Sequence, residues 1–408
     1  MNILTFTTLW PNAEQPNFGV FVKHRVAALA KLDGVNVRIV APVPYFPKVG
    51  RLLTRAVLNR LPKHWQQMAR VPQQEVIDGL PTQHPPYLVT PKLGMSFYGN
   101  WMARGAFETV ERLHREQPFD LIDAHYVYPD GYAATLLGER LNIPVFITAR
   151  GTDINLFSRM PLIRPKIVKA LNSAAGIVAV SEALKQRMVE LGIAAEKIAV
   201  IRNGVDREVF FPRDRKEARQ RLKLEAEGKI LLSVGALVPV KGFDRLIDAM
   251  ALLKREEQVK KDRSRLKLFV IGEGSERRAL ESKISNLRLE NCVRLLGAKP
   301  QAELADWYSA ADLFCLASHR EGCPNVVIEA MACGLPIVAA NVGGVVELLT
   351  TEIGNLITEH SAEKFADALK KALAVGWNRN LIAHFGSDRS WNVAADEVHD
   401  FFVAQRFF

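Results

Sequence analysis

Cysteine is scarce. The 408 residues include four (Cys292, Cys315, Cys323 and Cys333), all in the second half, with no CxxC spacing and no histidine cluster nearby. That excludes a disulfide framework in a chain with this much core, argues against structural zinc, and leaves four reduced, mostly buried thiols. Long apolar runs are also missing. Nothing approaches the roughly 18 uninterrupted residues of a membrane span, and no charged-then-apolar leader opens the chain. Met1 runs directly into Ile3-Leu4-Thr5-Phe6, which reads as a first buried strand, so the expected location is cytoplasmic. Acidic residues are absent from Gly34 to Gln74, where Arg38, Lys48, Arg51, Arg55, Arg60, Lys63 and Arg70 are basic. Otherwise, 48% apolar and 24% charged residues exclude a disordered or fibrous chain.

The net charge of +10 is unevenly placed: residues 1–200 hold 23 Lys+Arg against 15 Asp+Glu, and the remainder is nearly balanced. A basic first half implies an anionic partner, whether nucleic acid, phospholipid or a phosphorylated substrate. Leu52, Leu53, Ala56, Val57 and Leu61 recur at near-helical spacing inside the acid-free stretch, with Trp65 and Met68 following. The segment 48–70 therefore reads either as a surface for an anionic membrane or as a solvated helix with apolar residues turned inward.

Short apolar runs alternate with amphipathic stretches, the pattern of βαβ units around parallel sheets. Strands are expected at Asn2–Thr7, Val35–Val40, Leu121–Ala124, Pro144–Thr148, Gly176–Val180 and Lys197–Ile201. The alternation restarts with Ile230–Val234, Leu266–Ile271, Cys292–Leu295, Leu313–Leu316 and Pro336–Ala340. Between the two series lie the turn Arg202-Asn203-Gly204-Val205-Asp206 and a charged stretch. The expected architecture is α/β, with two doubly wound Rossmann-like domains, 1–205 and 206–387, facing across a cleft.

The most informative segment runs from Ser318 to Pro336. A buried strand precedes it, so Ser318–Cys323 forms a loop at a strand's carboxyl end. Pro324 is suited to the first helical position, and Gly334 with Pro336 stops the helix. The amides of Asn325, Val326 and Val327 would then make an anion site, flanked by the carboxylates of Glu321 and Glu329. That arrangement suits a phosphate beside sugar or ribose hydroxyls.

Glu321-x7-Glu329 followed by Ala-Met-Ala-Cys-Gly-Leu-Pro resembles the signature of the family 4 retaining glycosyltransferases, which have the GT-B fold. The resemblance extends along nearly the whole chain. It takes in Val234 to Asp244, the glycine loop Val270-Ile271-Gly272-Glu273-Gly274, Val342 to Glu347, and the turn at Ile201–Asp206. Trp10-Pro11 and Asn17 to Val22 resemble the branch that builds bacterial cell-surface polysaccharides, teichuronic-acid-type enzymes among them.

The resemblance implies transfer of a hexosyl unit from a nucleotide sugar, UDP-linked first and GDP-linked next, to a glycan or glycolipid acceptor, working at the inner membrane face without a metal or other cofactor; no DxD-type motif is present. It makes domain 1–205 the acceptor side, with a tail 388–408 returning to it, and domain 206–387 the donor side. It assigns ribose hydroxyls to Glu329 and the donor sugar to Glu321 with the amides of Gly322 and Cys323. The diphosphate falls to Lys241, with Gly19 approaching closely, Gly235 and Gly272 among the donor-binding glycines, and the base near the backbone of Leu296. Arg150, Asp153 and His125 are the further catalytic candidates. The chain departs from the family pattern at Ala236, where an arginine is frequent, and at Arg150, where a histidine is frequent. Arginine does not release its proton, so Arg150 can bind charge but not act as a base. A nucleotide-sugar epimerase or a phosphorylase of the same fold is the alternative reading. A non-enzymatic nucleic-acid binder is remote, since no nucleic-acid module is present.

Overall fold

The computed structural model describes residues 1–45, 67–90, 94–260 and 266–406. The chain forms two compact units, one of residues 1–203 with the tail from Trp391, the other of residues 204–390.

Among the described residues of the first unit ten strands form: β1 (Asn2–Phe6), β2 (Asn36–Val40), β3 (Val43–Tyr45), β4 (Gln74–Ile77), β5 (Leu80–Gln83), β6 (Pro86–Leu88), β7 (Leu121–His125), β8 (Val145–Ala149), β9 (Gly176–Ala179) and β10 (Ile198–Val200). Eight of them make one sheet in the order β10-β9-β8-β7-β1-β2-β5-β4, while β3 and β6 pair separately. The run β10 to β5 is parallel, and its central strands β7, β8 and β9 are buried at every position, as strands covered on both faces must be. At the far edge β4 and β5 pair antiparallel through Asp78-Gly79, whose φ values of 49° and 82° are those of a two-residue hairpin turn. This hairpin, the β3–β6 pair and the helix Tyr98–Glu116 add to the sequence-based expectation. That helix buries Met102, Ala103, Ala106, Val110 and Leu113, one stripe of an amphipathic helix. The tail helix Trp391–Arg406 packs in this same unit: Trp391 stacks on His24 at 5.7 Å, and Phe402, fully buried, meets Phe146 at 4.7 Å.

The second unit is simpler. Strands β11 (Lys229–Val234), β12 (Leu266–Ile271), β13 (Val293–Leu295), β14 (Leu313–Leu316), β15 (Ile337–Ala340) and β16 (Gly354–Ile357) make a fully parallel sheet in the order β13-β12-β11-β14-β15-β16. One apolar cluster is built around Phe210, Trp307, Tyr308 and Phe314, and another around Phe243, Leu246, Met250 and Phe365. Strand order reverses between β11 and β14, so the loops at their carboxyl ends part there and leave a crevice, the usual seat of a ligand in such sheets. In the first unit the corresponding switch lies between β1 and β7.

The four cysteines are free, three of them buried and Cys323 half-buried. Among the described residues no helix is long and apolar enough to cross a membrane. Most of the basic segment 48–70 lies outside the described residues. Of its described end, Arg70 is exposed, whereas Met68 is buried.

Candidate active site

In the second unit, loops from five strand ends are tied together by backbone bonds. The His319 amide donates to the Val240 carbonyl (2.8 Å), joining the loop after β14 to the turn Pro239–Lys241 after β11. Gly344 donates to the Gly322 carbonyl (3.1 Å), Gly235 to Ile271 (2.9 Å) and Gly272 to Gly297 (2.9 Å). The frame holds its side chains with little freedom. Ser318, fully buried, donates its hydroxyl to Glu321 Oε1 (2.6 Å), and Lys241 Nζ donates to the same oxygen (2.7 Å). The side chain of Glu321 keeps only 9% exposure, and that of Lys241 23%. Lys241, assigned above to a diphosphate, is thus the ion-pair partner of Glu321.

The helix that follows spans Asn325–Ala332. Pro324 stands at its N-cap, not at the first helical position, and the Pro324 carbonyl accepts from Val327 N (3.0 Å). The Val327 amide is therefore spent on closing the first turn, and the expected anion site narrows to the start of the helix. There Asn325 and Val326 are half-buried, directly after the buried Gly322 and the half-buried Cys323. Glu329 leans back toward that start. It accepts one hydrogen bond, from the hydroxyl of Tyr308 (3.0 Å), and among the described residues it has no cationic partner. Burial pushes its carboxyl up to about 7, offset in part by the Tyr308 bond. Ionising it here costs roughly 3 kcal/mol more than in water. A carboxylate so placed gains from neutral donors such as vicinal hydroxyls, which stabilise the ionised form without adding a charge. Leu296, half-buried beyond β13, spends its amide on Val270 O (2.9 Å), so its carbonyl and side chain are what it can offer a base.

The first unit's candidates are arranged differently. Arg25, on the helix Val20–Leu29, is 3% exposed and donates to both oxygens of Asp123 (2.9 Å each) and to Thr148 Oγ1 (2.9 Å). Burial alone would raise Asp123; Arg25 and His125 outweigh it and hold the carboxyl below its ordinary range. His125, fully buried at the end of β7, lies between Asp123 Oδ2 (3.1 Å from Nε2) and Arg150 Nη2 (2.6 Å from Nδ1). Burial, and next the Arg25 charge, push its imidazole down to about 3. The ring is therefore neutral: Nε2–H donates to Asp123, and Nδ1 accepts from Arg150. Arg150 also donates to Asn203 Oδ1 (2.9 Å) and stands 5.3 Å over the Phe21 ring.

Asp153 is fully buried and accepts from the amides of Gly151 (2.7 Å), Val127 (2.9 Å), Ile154 (3.1 Å) and Arg150 (3.2 Å), which offset a rise caused by burial. Two of the catalytic candidates, Asp153 and His125, are thus fully buried, and their bonds are those of positioning residues: Asp153 holds two loops together, and His125 holds Arg150. Arg150 itself is half-buried, its guanidinium held by His125 and Asn203.

Residues that the sequence reading passed over complete this edge of the sheet. Asp130, fully buried, accepts from the amide and hydroxyl of Thr8 and so ties the loops on either side of the β1/β7 switch; burial pushes it up to about 7. Beside them Trp10, Phe18, Met68, His84 and Tyr87 line a pocket of about 180 Å³. His84 bonds Ala41 O (2.9 Å) and Glu75 (2.8 Å), and the buried Nε1 of Trp10 has no partner among the described residues. Aromatics following a first strand were the available signal, but the pocket also draws on residues from 41 to 87. Gly19 starts the helix of Arg25 with a left-handed φ of 65°, and a Cβ there would collide with the Leu9 carbonyl; the loop's own packing requires this glycine. Among the described residues no group of His, Cys, Asp or Glu could hold a metal ion.

Residues 214–384 match the family model described as Glycosyl transferases group 1, and residues 19–209 match Glycosyltransferase Family 4. A Bacillus subtilis (strain 168) protein named as a teichuronic acid biosynthesis glycosyltransferase, TuaC, is 29% identical over 373 residues, 91% of this chain and 89% of the relative. The D-inositol 3-phosphate glycosyltransferase of Jonesia denitrificans is 30% identical over 324 residues, covering 73% of this chain and 74% of the relative. Among solved structures, Anabaena Alr3699/HepE in complex with UDP superposes with a TM-score of 0.71 at 21% identity, covering 99% of this chain and 100% of that one. With both halves of the chain matched by family models and both units built on doubly wound sheets, the protein belongs to the family 4 glycosyltransferases of GT-B fold and is a glycosyltransferase.

Proposed function

We propose that the protein takes a hexosyl unit from a UDP-sugar and adds it, with retention of configuration, to a lipid-linked glycan in the synthesis of a cell-surface polysaccharide. It would work in the cytoplasm at the inner membrane face, with the basic segment 48–70 as its contact with anionic lipid, and without a metal. The observation that carries the reading is the array at the start of the helix Asn325–Ala332: one carboxylate paired with a lysine, a second bonded by a tyrosine, and helical amides between them. Structures of HepE with UDP, with UDP and glucose, and with UDP-glucose support the choice of donor. The name of the Bacillus relative supports the choice of pathway.

In this reading Glu329 accepts from the ribose hydroxyls, and Glu321 with the amides of Gly322 and Cys323 holds the sugar. Lys241 turns from Glu321 toward the diphosphate. As the glycosidic bond breaks, its electron pair passes to the departing phosphate oxygen, where Lys241 and the helix start stabilise the charge as it develops. The acceptor hydroxyl attacks the anomeric carbon from the same face and hands its proton to that phosphate oxygen. The pocket of Trp10, Phe18 and Tyr87 offers the acceptor apolar walls.

Thermal-shift screening of the purified protein against UDP, GDP, ADP, CMP and dTDP, with and without Glu329→Ala, tests this. A bound ligand must stabilise the folded state. A rise with UDP alone that the variant loses supports the donor assignment; a rise with another nucleotide replaces it. Absence of any rise, repeated with intact UDP-sugars and membrane extract, overturns it.

A further inference from the structure

The amino ends of the second unit's strands carry a different cluster, at the opposite edge of the sheet from Glu321 and Glu329. Lys229 opens β11, Asp312 immediately precedes β14, and Pro336 immediately precedes β15. Together with Arg215, Arg379 and Trp377 they line a pocket of about 160 Å³. Its cations outnumber its carboxylates. Asp312 is already shared: Arg215 reaches Oδ1 at 2.7 Å, Arg219 reaches Oδ2 at 2.9 Å, the Ile230 amide reaches Oδ2 at 2.8 Å, and Lys229 stands 3.6 Å away. Arg219, 3% exposed behind Asp312, adds one more positive charge.

Arg379 is left with neutral partners. Its Nε donates to Gly334 O (3.1 Å) and its Nη2 to Ala311 O (2.6 Å), and among the described residues no carboxylate pairs with it. Burial, and next the Arg215 charge, push its guanidinium down to about 10. A guanidinium disfavoured by burial and by like charge is stabilised by an anion, and its planar fork matches two oxygens of one phosphate. The pocket is large enough for a phosphoryl group with a small organic part, and Trp377, its ring nitrogen bonded to Ala372 O (2.8 Å), supplies an apolar wall.

We propose that Arg215, Lys229 and Arg379 form a second anion site, separate from the donor-holding loops, that binds the phosphate of a small phosphorylated compound. Bound there, the phosphate ties the start of the helix Arg379–Ser387 to the amino ends of β11 and β14.

The test uses the full chain. Melting temperature is followed against inorganic phosphate and against glucose 6-phosphate, each with chloride at matched ionic strength, because screening alone relieves repulsion among arginines. Arg215→Gln with Lys229→Gln changes the two more exposed cations, with side chains 38% and 47% exposed, and leaves the buried Arg379 contacts intact. Saturable stabilisation beyond chloride is expected in the parent protein and in Lys241→Ala, weakened roughly tenfold or more in the double variant, since each lost charge-assisted contact is a strong one. Tighter binding of glucose 6-phosphate than of phosphate would identify a phosphorylated metabolite; the reverse would identify the free anion. Stabilisation equal to that by chloride, or unchanged in the double variant, overturns the site. Stabilisation lost in Lys241→Ala but kept in the double variant assigns phosphate to the donor loops and equally overturns it.

Discussion

At the carboxyl edge of the first unit's sheet, Arg25, Asp123, His125, Arg150 and Asp153 satisfy one another or the backbone, and four of the five are buried. At the same edge of the second unit, Glu321 and Lys241 pair at the rim of a loop and Glu329 has, among the described residues, a single neutral partner. Both clusters follow strand ends, and both are rich in the residue types of catalysis. What separates them is the bonding capacity left after the protein's own contacts are made. A network closed on itself by short ion pairs and bonds fixes geometry even with Arg25 Nε left over; a carboxylate held by one neutral bond can take up a ligand.

The sharpest way to break this contrast is to remove a member of each. Arg25→Met leaves Asp123 charged in the interior without its cation, bonded only by the neutral His125 ring, and should cost about 3–5 kcal/mol of stability, measured by urea unfolding. A cost below 1 kcal/mol would mean that the first unit's network is not the rigid frame described. Glu321→Ala should do the reverse: the fold survives, while kcat/KM for transfer falls roughly a hundred- to a thousandfold, the usual scale for losing one charged contact to the reacting group. Transfer within a few-fold of the parent would remove Glu321 from the site.

Titration sharpens the comparison further. Glu329 and Asp130 both stand at about 7 in the folded protein, above their ordinary values of 4.5 and 3.8. The folded state therefore binds the extra protons, and each group's contribution to stability is fully present below its ordinary value and lost as pH rises through about 7. Only Glu329 faces the proposed donor. Below pH about 7 the donor KM should rise, approaching roughly tenfold per pH unit as the carboxylate is protonated. Glu329→Gln should abolish that dependence. Asp130→Asn should flatten the slope of melting temperature against pH and leave the KM profile unchanged. The smallest effect belongs to Tyr308→Phe. Its hydroxyl favours the ionised Glu329, so its loss should move the KM profile to higher pH at a cost of about 1 kcal/mol in stability. A profile that moves to lower pH would contradict the bond's assigned role.

The α/β class and most strand positions were legible because buried parallel strands are short continuous apolar runs, and Leu313–Leu316 or Leu266–Ile271 can hardly be read otherwise. The segment 318–336 was legible for a related reason: a loop and the helix that follows it are local, so spacing along the chain sets the arrangement of Glu321 and Glu329. The hairpin at Asp78-Gly79 also had its signal, an Asp-Gly pair between alternating residues, and the reading passed over it. Other features had no local signal. Arg25 reads as an ordinary helical cation until Asp123, 98 residues later, lies beside it. Tyr308 reads as one more apolar residue of the helix Gln301–Ala310, and its bond to Glu329 exists because that helix packs near the next.

By itself the sequence determined the parallel strands, the restart of the alternation after residue 206, and the loop-helix segment that names the family, because each depends on contacts between near neighbours in the chain. The tertiary structure decided which polar groups are spent and which retain capacity: that Asp153 anchors loops, that His125 is a neutral prop for Arg150, that Lys241 answers Glu321, and that Arg379 bonds backbone carbonyls. Those outcomes depend on desolvation and on partners brought in from distant strands, and neither is encoded in spacing along the chain.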